Sequence, residues 1–210
     1  VDQRTALSNQ LRALLKTYFP QALQLVSEDL YTKLSCDFLL KWPTLQALQR
    51  SKANTILQFY RTHKSIRTQK NQERLAIIEN SIALTSDEVI LQTHAMLAKV
   101  LAKQLLDLRD AIASYDAEIE ARVAQHQDAP IFASLPGAGP NFTARLIAAI
   151  GTDRERFEDA SSLQCQSGIA PVTDQSGQRR CWIHRRFARP KFEHQSFVEW
   201  AGQTITRSTW

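Results

Sequence analysis

The sequence predicts a mainly α protein. The reading is a helical bundle with one long coiled-coil-like helix, followed by a small domain with a helix-hairpin-helix-like element and a short β-hairpin. Three observations lead there. All six glycines, Gly137, Gly139, Gly151, Gly168, Gly177 and Gly202, lie after residue 136, and glycine marks turns and close backbone approach. The glycine-free part is rich in Leu, Ala, Gln, Lys and Glu, which lose least on entering a helix. Apolar residues also recur by threes and fours from Val89 to Val123. The change of character falls near Asp128-Ala129-Pro130, giving a helical region over 1–128 and a second domain over 129–210.

Leu7, Leu11, Leu14, Leu15 and Tyr18 stand at helical spacing, and their helix must stop before Pro20. Leu30, Leu34, Phe38 and Leu39 make a second stripe, and Trp42-Pro43-Thr44 predicts a third helix with proline in its first turn. Short helices follow over 53–63 and 66–79, the latter polar and basic on one side through Arg67, Lys70 and Arg74. Thr85-Ser86-Asp87-Glu88 is a capping signature. It opens a long helix with an apolar seam of Val89, Met96, Val100, Leu101, Leu105, Leu108, Ile112, Tyr115, Ile119 and Val123. At 1.5 Å per residue this helix spans about 55 Å, wider than a small domain, so part of it packs on another helix or another chain. The spacing fits an antiparallel hairpin and a dimer seam equally. Carboxylates in this region lie among Lys, Arg and Gln, the pattern of a solvated face, and His63, His94 and His126 are far apart.

Composition narrows the class. With 210 residues, 22% charged and 43% hydrophobic, the chain is neither disordered nor collagenous. No apolar run approaches the roughly 20 residues of a membrane span, and Val1-Asp2-Gln3-Arg4 shows no secretory pattern, so an intracellular location is expected. Cys36, Cys165 and Cys181 are odd in number and widely spaced, which points to reduced thiols rather than a disulfide framework. A net charge of +5 and a pI near 9.3 suit a nucleic-acid or anionic-surface partner without requiring one.

In the second domain, Leu135-Pro136-Gly137-Ala138-Gly139-Pro140 runs into a helix that begins at Asn141 and ends at Gly151. It is like the second half of a helix-hairpin-helix. There Gly137 and Gly139 let the backbone approach a phosphate, while Asn141, Arg145 and the first amides of the helix supply donors. A corner between two helices that touches nothing reads the same way. Phe157, Leu163 and Cys165 suggest a short helix around 159–166.

Beyond it, residues 175–191 hold five arginines and Lys191 with no acid, interleaved with Trp182 and Phe187. Arginine grips phosphate oxygens bidentately and aromatics stack on bases, so Gly177, Arg179, Arg180, Arg185, Arg186, Arg189 and Lys191 are candidate nucleic-acid contacts. Cys181, Ile183 and Phe187 at even spacing fit one face of a hairpin strand whose turn is Ser176-Gly177, which would set the Ser176 hydroxyl at an exposed tip. A Ser-Gly alone is usually only a turn. Cys165, Cys181, His184 and His194 match no common zinc-finger spacing. Pro190 to Ile205, with Phe192, Ser196, Phe197, Trp200 and Ala201 at helical spacing, reads as a core helix.

Several blocks in order carry a resemblance. They are Phe132-Ala133-Ser134-Leu135-Pro136-Gly137-Ala138-Gly139-Pro140, Ala144-Arg145-Leu146, Ser167-Gly168-Ile169-Ala170-Pro171-Val172, Gln175-Ser176-Gly177-Gln178, Arg189-Pro190-Lys191-Phe192 and Phe197-Val198-Glu199-Trp200-Ala201. Together they resemble the C-terminal domain of the Piv/MooV-type DEDD transposases, the insertion-sequence group numbered one hundred and ten. The helices before it, especially Leu7 to Pro20 with its NQLRALLKTYFP wording, are similar to the helical insertion that precedes that domain.

The resemblance implies a DNA transposase or recombinase guided by a structured bridge RNA and working on a mobile element in the cytoplasm and nucleoid of a bacterial or archaeal cell. It also implies that Ser176 is the nucleophile, acting with a RuvC-like domain whose four acidic residues bind a divalent metal, expected to be magnesium. Arg179 and Arg180 are then candidate helpers, and the long helix would join copies into a homo-oligomer. No RuvC-like strand pattern with spaced acids appears, so the chain reads as a fragment, inactive alone. Ala188-Arg189-Pro190 stands where many relatives carry Gly-Asn. Two other readings stay open: a non-catalytic DNA- or RNA-binding module in which Ser176 is a turn residue, and a coiled-coil scaffold.

Overall fold

Helix begins where the leucine stripe predicts it and ends ahead of Pro20. A computed structural model of the chain describes residues 2–177, 179–183 and 189–205, leaving aside the side chains of 154, 172–176 and 179–183. Contacts divide it into two units, Val1–Ser114 and Tyr115–Trp210.

In the first unit, α1 (Asp2–Tyr18) buries Leu11, Leu15 and Tyr18. After it come α2 (Ala22–Leu25), α3 (Lys33–Lys41), α4 (Leu45–Gln49), α5 (Ala53–Thr62), α6 (Thr68–Asn80) and the first part of α7 (Glu88–Ala124). Short polar side chains set the starts. Thr32 caps α3 by accepting from Ser35 N at 3.3 Å, and Asp87 accepts from Val89 N and Ile90 N at 2.9 and 3.2 Å, satisfying amides that a helix start leaves orphaned. Thr44 caps α4 by accepting from Ala47 N at 3.2 Å. Pro43 therefore lies before the cap and not in the first turn, as had been expected.

The centre of this unit is aromatic. Phe38 meets Trp42 edge-on at 5.4 Å, and Trp42 meets Phe59 at 5.0 Å, the geometry that ring quadrupoles favour. Each buried phenol finds a carbonyl: Tyr18 donates to Pro43 O and Tyr60 to Leu25 O, both at 2.9 Å. Burial pushes the Tyr60 hydroxyl up to about 12, so it remains a neutral donor.

Two expectations about side-chain direction are corrected. Arg67 and Lys70 face solvent, but Arg74 turns inward, 4% exposed, its guanidinium 4.1 Å from the centroid of the Tyr60 ring. Its Nη1 donates to Ser65 Oγ at 2.8 Å and Asn71 Oδ1 at 3.0 Å, and burial lowers its pKa. It braces the corner at Lys64, where φ is 58°. The seam of α7 holds at Leu101 and Leu105 but is otherwise shifted from the one expected. Ala95, Ala98, Leu101, Ala102 and Leu105 are buried, whereas Val89, Met96, Val100, Tyr115 and Ile119 are exposed. Alanines let the helix backbone approach the other helices closely, so the small residues take the packed face and several larger ones point away.

The second unit holds the end of α7, then α8 (Ala129–Ala133), α9 (Pro140–Ile150), a 3-10 turn (Arg154–Arg156), α10 (Ala160–Ser167), β1 (Val172–Ser176), β2 (Arg179–Ile183) and α11 (Lys191–Thr204). Phe132, Leu146, Ala149 and Phe197 form its core, with Leu135, Leu163 and Trp200 packed around them. Asp159 caps α10 in a reciprocal box with Ser162, and Gly168 ends it at a φ of 70°. On α11 the inward stripe is Glu193, Ser196 and Phe197, while Phe192 and Ala201, read as core, are exposed. At about 100° per residue Ser196, Phe197 and Trp200 keep the inward direction of that reading, Phe192 and Ala201 fall at the two edges of the stripe, and Glu193 joins its centre because its carboxylate has partners inside.

A Cβ on Gly168 would stand 2.7 Å from Arg189 Cβ, on top of the left-handed backbone. Gly168→Ala is expected to destabilise this unit by about 1–3 kcal/mol in chemical denaturation. Gly202→Ala, where a Cβ meets nothing within 4 Å in a helix interior, is the control and is expected to gain up to about 1 kcal/mol. No described helix is long and apolar enough to cross a membrane.

Candidate functional site

Of the residues singled out for chemistry, Ser176, Gly177, Arg179 and Arg180 lie on the hairpin. β1 and β2 are antiparallel, with Val172 opposite Ile183, Thr173 opposite Trp182, Asp174 opposite Cys181, Gln175 opposite Arg180 and Ser176 opposite Arg179. Ser176 is therefore the last strand residue, and the turn proper starts at Gly177, one residue later than the expected Ser176-Gly177 turn. Gly177 has a φ of 61°, which favours glycine in a tight hairpin turn. Among described residues nothing lies within 4 Å of where its Cβ would be, and the residue is exposed. Arg179 and Arg180 are thus neighbours of Ser176 and Gln175 across the ladder. His184, Arg185 and Arg186 lie outside the described residues. Arg189 is half-buried over Gly168, and Lys191 is exposed at the start of α11.

In the glycine-rich turn between α8 and α9, Gly137 lies against the end of α11. A Cβ on Gly137, whose φ is 73°, would meet the backbone of Gln203 at 3.3 Å, and Trp200 Nε1 donates to Pro136 O at 2.9 Å. Gly137 allows the turn to lie against the end of α11. Gly139 has open space around it and is the N-cap of α9. Asn141 is exposed beside a hollow of about 380 Å³ that Asp116, Glu120 and Arg145 also line. The guanidinium of Arg145 is already engaged: it donates to Ser196 Oγ at 3.2 Å and to Glu199, and lies over the ring of Phe142.

The Arg145 hydrogen bond, followed by one from Gln195 at 2.6 Å, holds the Glu199 carboxyl below the usual glutamate range. A depressed carboxylate contributes its stabilisation fully above its unfolded pKa and loses it as pH falls through the folded value. Acidification below the ordinary carboxylate range is expected to loosen the pairing of α9 with α11, and Glu199→Gln to flatten that response. Side-chain NMR of Arg145 across an acid titration reads both.

Sequence reasoning missed a polar cluster where the hairpin leaves the helices. Glu193, 9% exposed, accepts from Arg156 Nη2 at 3.2 Å and from Gln166 Nε2 at 3.4 Å. Arg156 also donates to Ala149 O, at 3.4 Å, and His194 Nδ1 donates to Ser167 O at 3.3 Å. The signal available was a glutamate spaced three and four residues before Ser196 and Phe197 on the packed face. Among the described residues no three or more His, Cys, Asp or Glu side chains gather to hold a metal ion.

Residues 129–209, which contain α8 to α11 and the hairpin, match the model of the transposase IS116/IS110/IS902 family. Over this segment the chain is similar to that transposase family. Similarity to insertion-element proteins also extends upstream of it. The protein named as the transposase for the IS117 mini-circle of Streptomyces coelicolor is 29% identical over 209 residues, covering 90% of this chain and 46% of that protein. The 44.8 kDa protein of insertion element IS116 from Streptomyces clavuligerus is 30% identical over 188 residues, covering 88% of this chain and 45% of that protein. The 42 kDa protein of IS900 from Mycobacterium paratuberculosis is 30% identical over 141 residues, covering 66% and 34%. The chain spans about half the length of the first two of these relatives. No solved structure matches it.

Proposed function

We propose that this chain is part of a DNA transposase in which Ser176 attacks a DNA phosphodiester. One observation carries the reading: in a segment similar to that transposase family, a serine ends a strand at an exposed glycine turn, with an arginine as its cross-strand partner. The Oγ–P bond forms as the P–O bond to the departing deoxyribose breaks, and the serine proton ends on the departing oxygen. The products are a phosphoserine on one DNA end and a free hydroxyl on the other. Arg179 and Arg180 are the nearest cations in sequence and register, suited to the charge that gathers on the phosphate.

Positions around the hairpin root and Lys191 would contact the nucleic-acid backbone without reading sequence. A structured guide RNA and a second copy of the chain complete the proposal. Met96, Val100, Tyr115 and Ile119, all exposed on α7, suit pairing with another helix. The test is a denaturing gel on the complete protein with target DNA, guide RNA and divalent metal. A covalent DNA adduct is expected in the wild type and none in Ser176→Ala, and an undiminished adduct in that variant overturns the assignment.

A further inference from the structure

We infer that Glu193 is a positioning residue that clamps the root of the Ser176 hairpin, an inference that rests on Ser176 being the nucleophile. The hairpin leaves the helices after Gly168 and the chain re-enters them at Arg189. Three contacts join these two places. Gln166 Nε2 reaches both oxygens of Glu193 at 3.4 Å, Ser167 O accepts from His194 Nδ1 at 3.3 Å, and the side chain of Arg189 lies where a Gly168 Cβ would be. Arg156 adds a further tie, joining Glu193 to the carbonyl of Ala149 at the end of α9. One carboxylate thus holds the end of α10, the 3-10 turn and the start of α11 in a fixed relation.

A carboxylate this deeply buried is an inefficient source of stability, because desolvation offsets most of the attraction to its partners. Its effect is geometric. An apolar side chain could fill the space but could accept from neither Arg156 nor Gln166. From Val172 to Ser176 the strand spans about 13 Å, so a 10° swing at the root displaces the serine by about 2 Å. A misplacement of about 1 Å costs on the order of 10²-fold in rate.

The experiment uses the complete protein with target DNA, guide RNA and divalent metal. Glu193→Ala is expected to slow adduct formation by about 10²-fold while leaving DNA affinity within about threefold. Glu193→Gln, which keeps an oxygen for Arg156 and meets Gln166 after its amide turns over, is expected to restore most of the rate. A wild-type rate in Glu193→Ala, or a loss that Gln does not rescue, overturns the clamp. If Glu193→Ala fails to fold, Gln166→Ala decides in its place: its side chain is exposed, and an unchanged rate overturns the clamp. The order of the Gly177 amide, from ¹⁵N relaxation, separates this inference from the one beneath it. If the adduct survives Ser176→Ala, the nucleophile assignment fails. The clamp still stands if Gly177 loses order in Glu193→Ala, and falls if it does not.

Discussion

Ser176→Ala is expected to lower the yield of covalent DNA adduct by about 10⁴-fold or more, the scale on which removal of a nucleophile acts. DNA affinity should stay within about threefold, because one hydroxyl adds little to a contact dominated by guanidiniums. That split decides between a transposase and a passive binding module. A module that only grips the phosphate backbone forms no adduct in either protein and shows the same steep fall of affinity with salt, since both release counterions. A scaffold acting through α7 alone shows neither adduct nor salt dependence. Arg179→Ala with Arg180→Ala weakens binding whichever of the first two readings holds, so the serine variant is the informative one. An adduct in Ser176→Ala would move the search to another hydroxyl, and the hairpin would keep only a binding role.

Leu105→Ala is expected to cost about 2–5 kcal/mol in the first unit, whereas Met96→Ala should change stability by less than about 0.5 kcal/mol. Leu105 is wholly buried and Met96 is 69% exposed, although both belong to the seam that spacing predicts. Denaturant unfolding of the two variants at low protein concentration reads the difference. If α7 pairs with a second copy through its exposed residues, Met96→Ala will instead become destabilising as concentration rises, because the dimer buries what the single chain leaves open. A large loss in Met96→Ala at every concentration would contradict the packing of α7 described here.

The elements that could be read from sequence were those fixed by short-range chemistry. The leucine stripe ahead of Pro20 gave α1, and the Thr85 to Glu88 signature gave the start of α7. Gly151 gave the end of α9, at positive φ. Alternation around Ser176-Gly177 suggested a hairpin, which the ladder from Val172 to Ile183 provides. Each depends on residues within a few positions of one another, where a cap or a turn leaves little choice.

The direction in which side chains face was legible only in part: Leu105 and Phe197 lie inside as read, but Met96 and Phe192 do not. Arg74 was read as part of a basic surface and lies under Tyr60; Phe192 was read as core while Glu193 is the residue inside. Periodicity measures an angle around one helix but does not say which angle the rest of the fold covers. The chain's own order of residues therefore determined its helices, caps and the strand–turn–strand that carries Ser176. Tertiary packing alone decided that alanines form the inner face of α7, that Gly137 rests on α11, and that Glu193 joins Arg156 to Gln166. Those outcomes depend on distances between segments tens of residues apart, where close approach and the pairing of buried polar groups outweigh local preference.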